Sequence, residues 1–161
     1  MMMKKVFFCL VSLVAMWACS SGEQAPFSYR GLPMEQSVGS FVDGMKARGF
    51  VVDSAASDSG RTVVLANAAE RYRVLVAFKD TALVAVQETY MLSTNDSTRH
   101  MWQELRDGLE KELGAWPDCP MLKDDHKVAN FDTGTGFVSV ILENTYKPTL
   151  TVRYTKKKSD R

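Results

Sequence analysis

Four groups of residues in this 161-residue chain have types and spacings that could do chemistry. Asp132-Thr133-Gly134, which follows Ala129-Asn130-Phe131, is a loop pattern in which two aspartates share one proton and activate a water. With a single copy per chain it would work only in a homodimer, as an aspartic-type hydrolase using Asp132. Position 130 is Asn where such a loop wants an apolar residue, and residues 133–161 are too few for the flap and second apolar-Gly loop of a half-barrel. A hairpin turn between two strands accounts for Asp-Thr-Gly-Thr-Gly with fewer demands. His100 and Glu104 lie four apart on a helical stretch, but a metal needs three or four ligands and no third is spaced to join them. Asp124-Asp125-His126 reads as a solvated loop running into a strand. Cys119 stands in Asp118-Cys119-Pro120, a turn, and neither His100 nor His126 is placed to activate it as a nucleophile. Gly-rich dinucleotide and phosphate loops, a serine elbow and a CxxC pair do not occur. The expectation is no catalytic residue, no metal site and no cofactor.

Whatever these residues do, ordinary elements must position them. The chain is 45% hydrophobic and 24% charged, which suits one globular domain and argues against a disordered or coiled-coil chain. A net charge of +1 lacks the basic excess of a nucleic-acid binder, so no nucleic-acid partner is expected. Three cysteines make no disulfide framework, and the fold must rest on its core.

Residues 27–34 read as extended, because Gly31 and Pro33 oppose helix. Ser37 is a good N-cap, and Val38, Phe41, Val42 and Met45 then recur on one helical face that should press onto the sheet face carrying Val74 and Val76. That predicts a helix over 37–48, with Gly49 as its stop. Four strands follow, over 50–54, 61–67, 71–78 and 82–92, close enough together to form an antiparallel meander. Asn95, Asp96 and Ser97 are cap candidates for a second helix, whose stripe is Trp102, Leu105, Leu109 and Leu113 before Gly114. Residues 115–125 form a loop, and strands over 126–131, 136–144 and 149–155 complete the chain. In the last, Leu150, Val152 and Tyr154 point inward while Thr149, Thr151, Arg153 and Thr155 point outward, so one sheet face is buried and the other wet. The fold class is α+β: two helices packed on antiparallel meanders in the order α-ββββ-α-βββ. Asp-Gly-apolar recurs at Asp43-Gly44-Met45 and Asp107-Gly108-Leu109, which hints at a duplicated unit; the alternative is coincidence between two amphipathic helices.

Ahead of the domain lies a targeting segment. Lys4 and Lys5 precede a twelve-residue uncharged run, Val6 to Trp17, too short to span a bilayer but the size of a signal-peptide core. Ala18 and Cys19 end it, and a polar stretch follows. A small residue before Cys at this point resembles the bacterial lipobox, with Met16 where Leu is usual and bulky Trp17 where a small residue is. The expected organisation is a signal peptide over 1–18, a lipidated Cys19 with its tether over 19–26, and one domain over 27–161. Removing Lys4 and Lys5 from the 20 basic residues leaves 18 against 19 acidic ones. Ser20 after the Cys, in place of an inner-membrane Asp, favours the outer membrane. The alternative is plain secretion with cleavage at Ala18-Cys19-Ser20, in which case Cys19 and Cys119 could pair in an oxidising periplasm.

Residues 29–49, YRGLPMEQSVGSFVDGMKARG, resemble the opening of small lipoproteins from Bacteroides-type bacteria, where an aromatic-Lys-Gly-Ile-Pro-Ile-Asp-Gly-Thr-Leu-x-x-Phe segment precedes a helix. Arg30, Gly31, Leu32, Pro33, Met34, Glu35, Ser37, Val38 and Phe41 match in type, and Gln36 replaces a Gly. Trp102, Gly114, Val138 to Leu142 and Val152 to Tyr154 are similar to the family's later helix and strands. The resemblance lies in core and turn residues. It implies a helix-plus-meander fold like that of β-lactamase-inhibitor-protein-like and BamE-like envelope proteins, which are non-catalytic protein binders. It also draws notice to Ser54, Thr81 and Ser97, each in an Asp-Ser/Thr-Ala/Thr tripeptide of the kind O-glycosylated in the periplasm of Bacteroides relatives. The functional expectation is a lipid-anchored, non-enzymatic module that binds an envelope protein.

Overall fold

The computed structural model describes residues 26–58, 60–120, 122, 125–144 and 146–157. The expected leader, Cys19 and the expected tether up to residue 25 lie outside them, as does Asp124 of the acidic loop.

Two short strands, β1 (Ser28–Tyr29) and β2 (Leu32–Pro33), open the domain. They pair antiparallel, so the extended stretch expected over 27–34 is in fact a hairpin and the order is ββ-α-ββββ-α-βββ. The reason is the turn. Arg30 and Gly31 both have positive φ, +47° and +79°, the mirror-image turn that suits the twist of paired strands. Helix α1 (Val38–Lys46) starts at Ser37, whose hydroxyl accepts from the Ser40 amide at 3.2 Å. Past its end, Gly49 takes φ +85° and donates its amide to the Lys46 carbonyl. Helix α2 (Asn95–Leu113) is capped one residue earlier than Asn95, Asp96 or Ser97. Thr94 is the cap, and the Thr94 and Ser97 hydroxyls each accept from the other residue's amide, a reciprocal box. Gly114 closes α2 in the left-handed conformation.

The remaining strands are β3 (Val51–Val52), β4 (Thr62–Ala66), β5 (Tyr72–Lys79), β6 (Ala82–Tyr90), β7 (His126–Asp132), β8 (Gly136–Glu143) and β9 (Thr149–Lys156). They form one antiparallel sheet in the order β3-β4-β5-β6-β9-β8-β7. The two expected meanders are therefore fused through their last strands, β6 against β9. The strand order reads the same outward from this seam on either side, each half following one helix. This is the layout the repeated Asp-Gly-apolar signal suggests.

Period-2 alternation puts the large apolar residues on one sheet face. Leu65, Val74, Val76 and Val86 come from one half and Phe131, Val140, Leu150 and Val152 from the other. Helix α1 covers them with Phe41, Val42 and Met45, and Val38 packs partly buried at the margin, as the helical spacing predicts. Trp102 and Leu109 of α2 are buried in the same core, with Leu105 and Leu113 half-buried beside them. Phe78 departs from the alternation because the β5–β6 register shifts between Ala77 and Phe78. Among the described residues no helix lies across the opposite face.

Candidate functional site

At mid-sheet the register aligns Leu65, Val74, Glu88, Val152, Val140 and Ala129 across six strands of the covered face. Five are apolar and the other is a glutamate with no solvent exposure. A buried carboxylate needs partners, and four donors supply them. Oε1 accepts from the Tyr29 hydroxyl at 2.9 Å and from Arg30 Nε; Oε2 accepts from the Tyr90 hydroxyl at 2.8 Å and from Arg30 Nη2 at 3.1 Å. The β1–β2 turn delivers Arg30 to this place. Holding a non-glycine residue at φ +47° costs backbone strain, which the side-on pair with Glu88 offsets. Arg48 Nη1 braces the turn by donating to the Arg30 carbonyl at 2.8 Å.

Aromatic rings wall the pair. The Arg30 guanidinium lies 5.3 Å over the Tyr72 ring, Tyr29 meets Tyr154 edge-on at 5.0 Å, and Tyr72 tilts against Tyr90 at 5.2 Å. Burial, and then the Glu88 charge, push the Tyr29 and Tyr90 hydroxyls far above the usual phenol range. Tyr154 moves the same way for the same reasons. Burial alone would lower Arg30, but its hydrogen bonds and charge attraction to Glu88 override that and hold it above its ordinary value. Tyr29 and Tyr90 are thus fixed donors. With two donors on each oxygen, Glu88 serves as a clamp that binds the N-terminal hairpin to the seam.

Beside the clamp a pocket of about 170 Å³ opens under α2, lined by Arg30, Glu104, Leu105, Gly108, Glu112 and Tyr154 among others. A second, of about 230 Å³, shares Arg30, Leu109, Glu112 and Tyr154 with it and extends to Phe27, Leu113 and Thr133. Together they make a cleft between α2 and the hairpin, apolar below and acidic along the α2 rim. Gly108 has open space where a side chain would stand, which widens it.

The residues singled out for chemistry go to separate places. Asp132 ends β7 at the hairpin turn, where Lys157 Nζ reaches both its oxygens, at 2.7 and 2.8 Å, and the Gly134 amide donates at 2.7 Å. These bonds, that of Lys157 foremost, hold its carboxyl below the usual range. His100 and Glu104 are 3.2 Å apart on the exposed side of α2. Asp125 pairs with Arg99 at 2.6 Å. Cys119 is an exposed thiol on the loop after α2. Ser54 and Thr81 are exposed in turns, whereas the Ser97 hydroxyl is engaged in the α2 cap. Arg30 and Glu88 were not singled out from sequence. One signal was available: Glu88 alternates with Val86 and Tyr90, both of which face the core beyond the register shift in this strand.

No family model and no curated protein matches the chain. Among solved structures it is similar to a DUF4309 family protein, YjgB, from Bacillus subtilis subsp. subtilis str. 168. The two share 16% identity over 82% of this chain and 86% of that one, with a TM-score of 0.49. At that level the likeness transfers no residue role.

Proposed function

We propose that the protein is a lipid-anchored, non-enzymatic binding module of the bacterial cell envelope, held in the outer membrane through Cys19, and that it takes an envelope protein on the uncovered face of its sheet. Kinship with β-lactamase-inhibitor-protein-like and BamE-like binders belongs to the same proposal. The observation that supports it best is the composition of that face. One register row runs Val64, Leu75, Gln87, Arg153, Ser139, Asn130, and the next runs Arg73, Thr89, Thr151, Ile141, Val128. Half-buried Leu75, Ile141, Val128 and threonine side chains lie around Arg153, with Arg73 at the margin paired to Asp53 at 3.6 Å, an arrangement suited to a partner with a carboxylate set among apolar groups. Seven strands at about 4.8 Å spacing, with some 20 Å of their length usable, give roughly 600 Å², near one partner's share of an ordinary interface.

The test is a paired substitution, Leu75→Asp with Ile141→Asp, in the full chain. The variant should keep its far-ultraviolet dichroism and lose capture of the envelope protein that the wild type retains from detergent-solubilised envelopes. Unchanged capture by a folded variant sinks the binding-face reading. Cys19→Ser tests the anchor separately: it should release the protein from a salt-washed membrane fraction and abolish labelling by radioactive palmitate.

A further inference from the structure

The strand register shows from which end of the sheet the tether leaves. Pro26, the first described residue, precedes Phe27, and the Phe27 ring lies so close on Gly136 that an added Cβ there would meet it at 2.6 Å. Gly136 opens β8 just after the turn from β7, and the Lys157 amide donates to the Thr135 carbonyl of that turn at 3.1 Å. The N-terminal segment, the β7–β8 turn and the end of β9 therefore meet at one end of the sheet. Trp116 is at the same end. Helix α2 finishes there, with Leu113 lining the cleft beside Phe27 and Thr133. The chain then turns back along the outer edge of β7, where Asp118 and Asn130 exchange amide-to-carbonyl bonds at 2.8 Å each way. In that antiparallel bridge Trp116, two residues before Asp118, falls level with Asp132, two residues after Asn130. Its side chain is 86% exposed.

We propose that this end of the domain rests on the bilayer that holds the Cys19 acyl chains, with the Trp116 indole inserted at headgroup level. The inference rests on the lipid-anchor reading above. Residues 20–25 separate Cys19 from Pro26, and at about 3.5 Å per extended residue they keep the domain within roughly 25 Å of the surface. At so short a tether even a weak contact forms most of the time. Indole is the side chain best suited to the interface, apolar in body with one donor for the headgroup layer. Lys156 ends β9 at this same end, and Lys157 follows it with its ammonium held on Asp132 and over the Phe137 ring. Asp132 and Glu112 offset those two charges, so the ring carries the contact and added salt should change it little. Tyr146, 99% exposed in the β8–β9 loop at the opposite end, then faces away from the membrane. The uncovered sheet face stands upright beside the bilayer, open to a partner.

The test reconstitutes the purified wild-type protein and a Trp116→Ala variant into phosphatidylcholine vesicles with and without bromine-labelled acyl chains. Both proteins should float with the vesicles. Wild-type emission should carry a component, missing from Trp116→Ala, that brominated lipid quenches and that moves to shorter wavelength relative to the Cys19→Ser protein in buffer. A wild type that floats while its Trp116 component stays open to acrylamide and blind to brominated lipid overturns this inference alone. A wild type that does not float overturns it together with the anchor.

Discussion

Replacing Arg30 with Met tests whether the buried carboxylate at the seam depends on its guanidinium. Methionine keeps the unbranched stem and the backbone position but removes two of the four donors on Glu88. The Tyr29 and Tyr90 hydroxyls remain, so the carboxylate, fully buried in the native fold, is half satisfied. Removing one partner of a fully buried ion pair costs about 3–5 kcal/mol. The Arg30 side chain is 44% exposed, so solvent already screens part of that attraction, and the expected loss is about 2–3 kcal/mol. The double change Arg30→Met with Glu88→Met removes the buried charge but leaves the Tyr29 and Tyr90 hydroxyls without their acceptor, so it should recover only part of the loss. Urea unfolding of the three proteins, followed by Trp102 fluorescence and dichroism, gives the comparison. An Arg30→Met protein within about 0.5 kcal/mol of wild type, the scale of a neutral surface change, would refute the clamp.

Further outcomes follow from the same packing. Phe41→Ala should cost about 3–5 kcal/mol in urea unfolding, since the ring is fully buried between α1 and the sheet; a loss under about 0.5 kcal/mol would mean that α1 does not pack there. Gly108→Ala should stabilise α2 by about 0.5–1 kcal/mol, because a methyl group there meets open space, whereas Gly44→Ala should gain less because the new Cβ comes within 2.9 Å of Leu32. The reverse ranking of melting temperatures would count against both placements. High pH should unfold the domain through its tyrosines. Unfolded phenols ionise near pH 10 while folded Tyr29, Tyr90 and Tyr154 stay protonated, so the folded state binds more protons and stability falls as pH rises above that value, by up to about 1.4 kcal/mol per pH unit for each ring. Tyrosinate absorbance for these rings should rise together with unfolding; absorbance rising first, in a still-folded protein, would contradict their burial.

Most of the architecture was legible because its determinants are local. The α1 face, the α2 stripe, the glycine stops and the alternation in β5 and β9 are all readable within a dozen residues. What was not legible depends on distant segments meeting. The fusion of two meanders through β6 and β9 joins residues some 65 apart in sequence, and either strand alone would accept another neighbour. The β1–β2 hairpin was hidden because Arg-Gly is an uncommon pair for a mirror-image turn, and only the distant Glu88 makes Arg30 worth its strain. For the same reason the clamp was missed while Asp132 drew notice. A motif search weighs neighbours in sequence, but Glu88 gains its meaning from partners up to 59 residues away. Thr94 was passed over as a cap because Asn95, Asp96 and Ser97 all have suitable side chains, and only the backbone geometry separates them.

The position of β9 bears on how the molecule comes into being. This strand emerges last from the ribosome among the described elements, yet it lies between β6 and β8 at the middle of the sheet. Until it arrives, each half of the sheet ends in an unpaired edge, and Tyr29 lacks the Tyr154 ring it packs against from 125 residues away. Assembly must therefore wait for nearly the whole polypeptide, a high contact order that slows folding. On the export reading proposed above the delay would be an advantage: the polypeptide would stay threadable while it crosses a membrane and would close its sheet on the far side. A version cut short before residue 149 would lose the joint between its two halves, leaving sticky strand edges for proteases to clear.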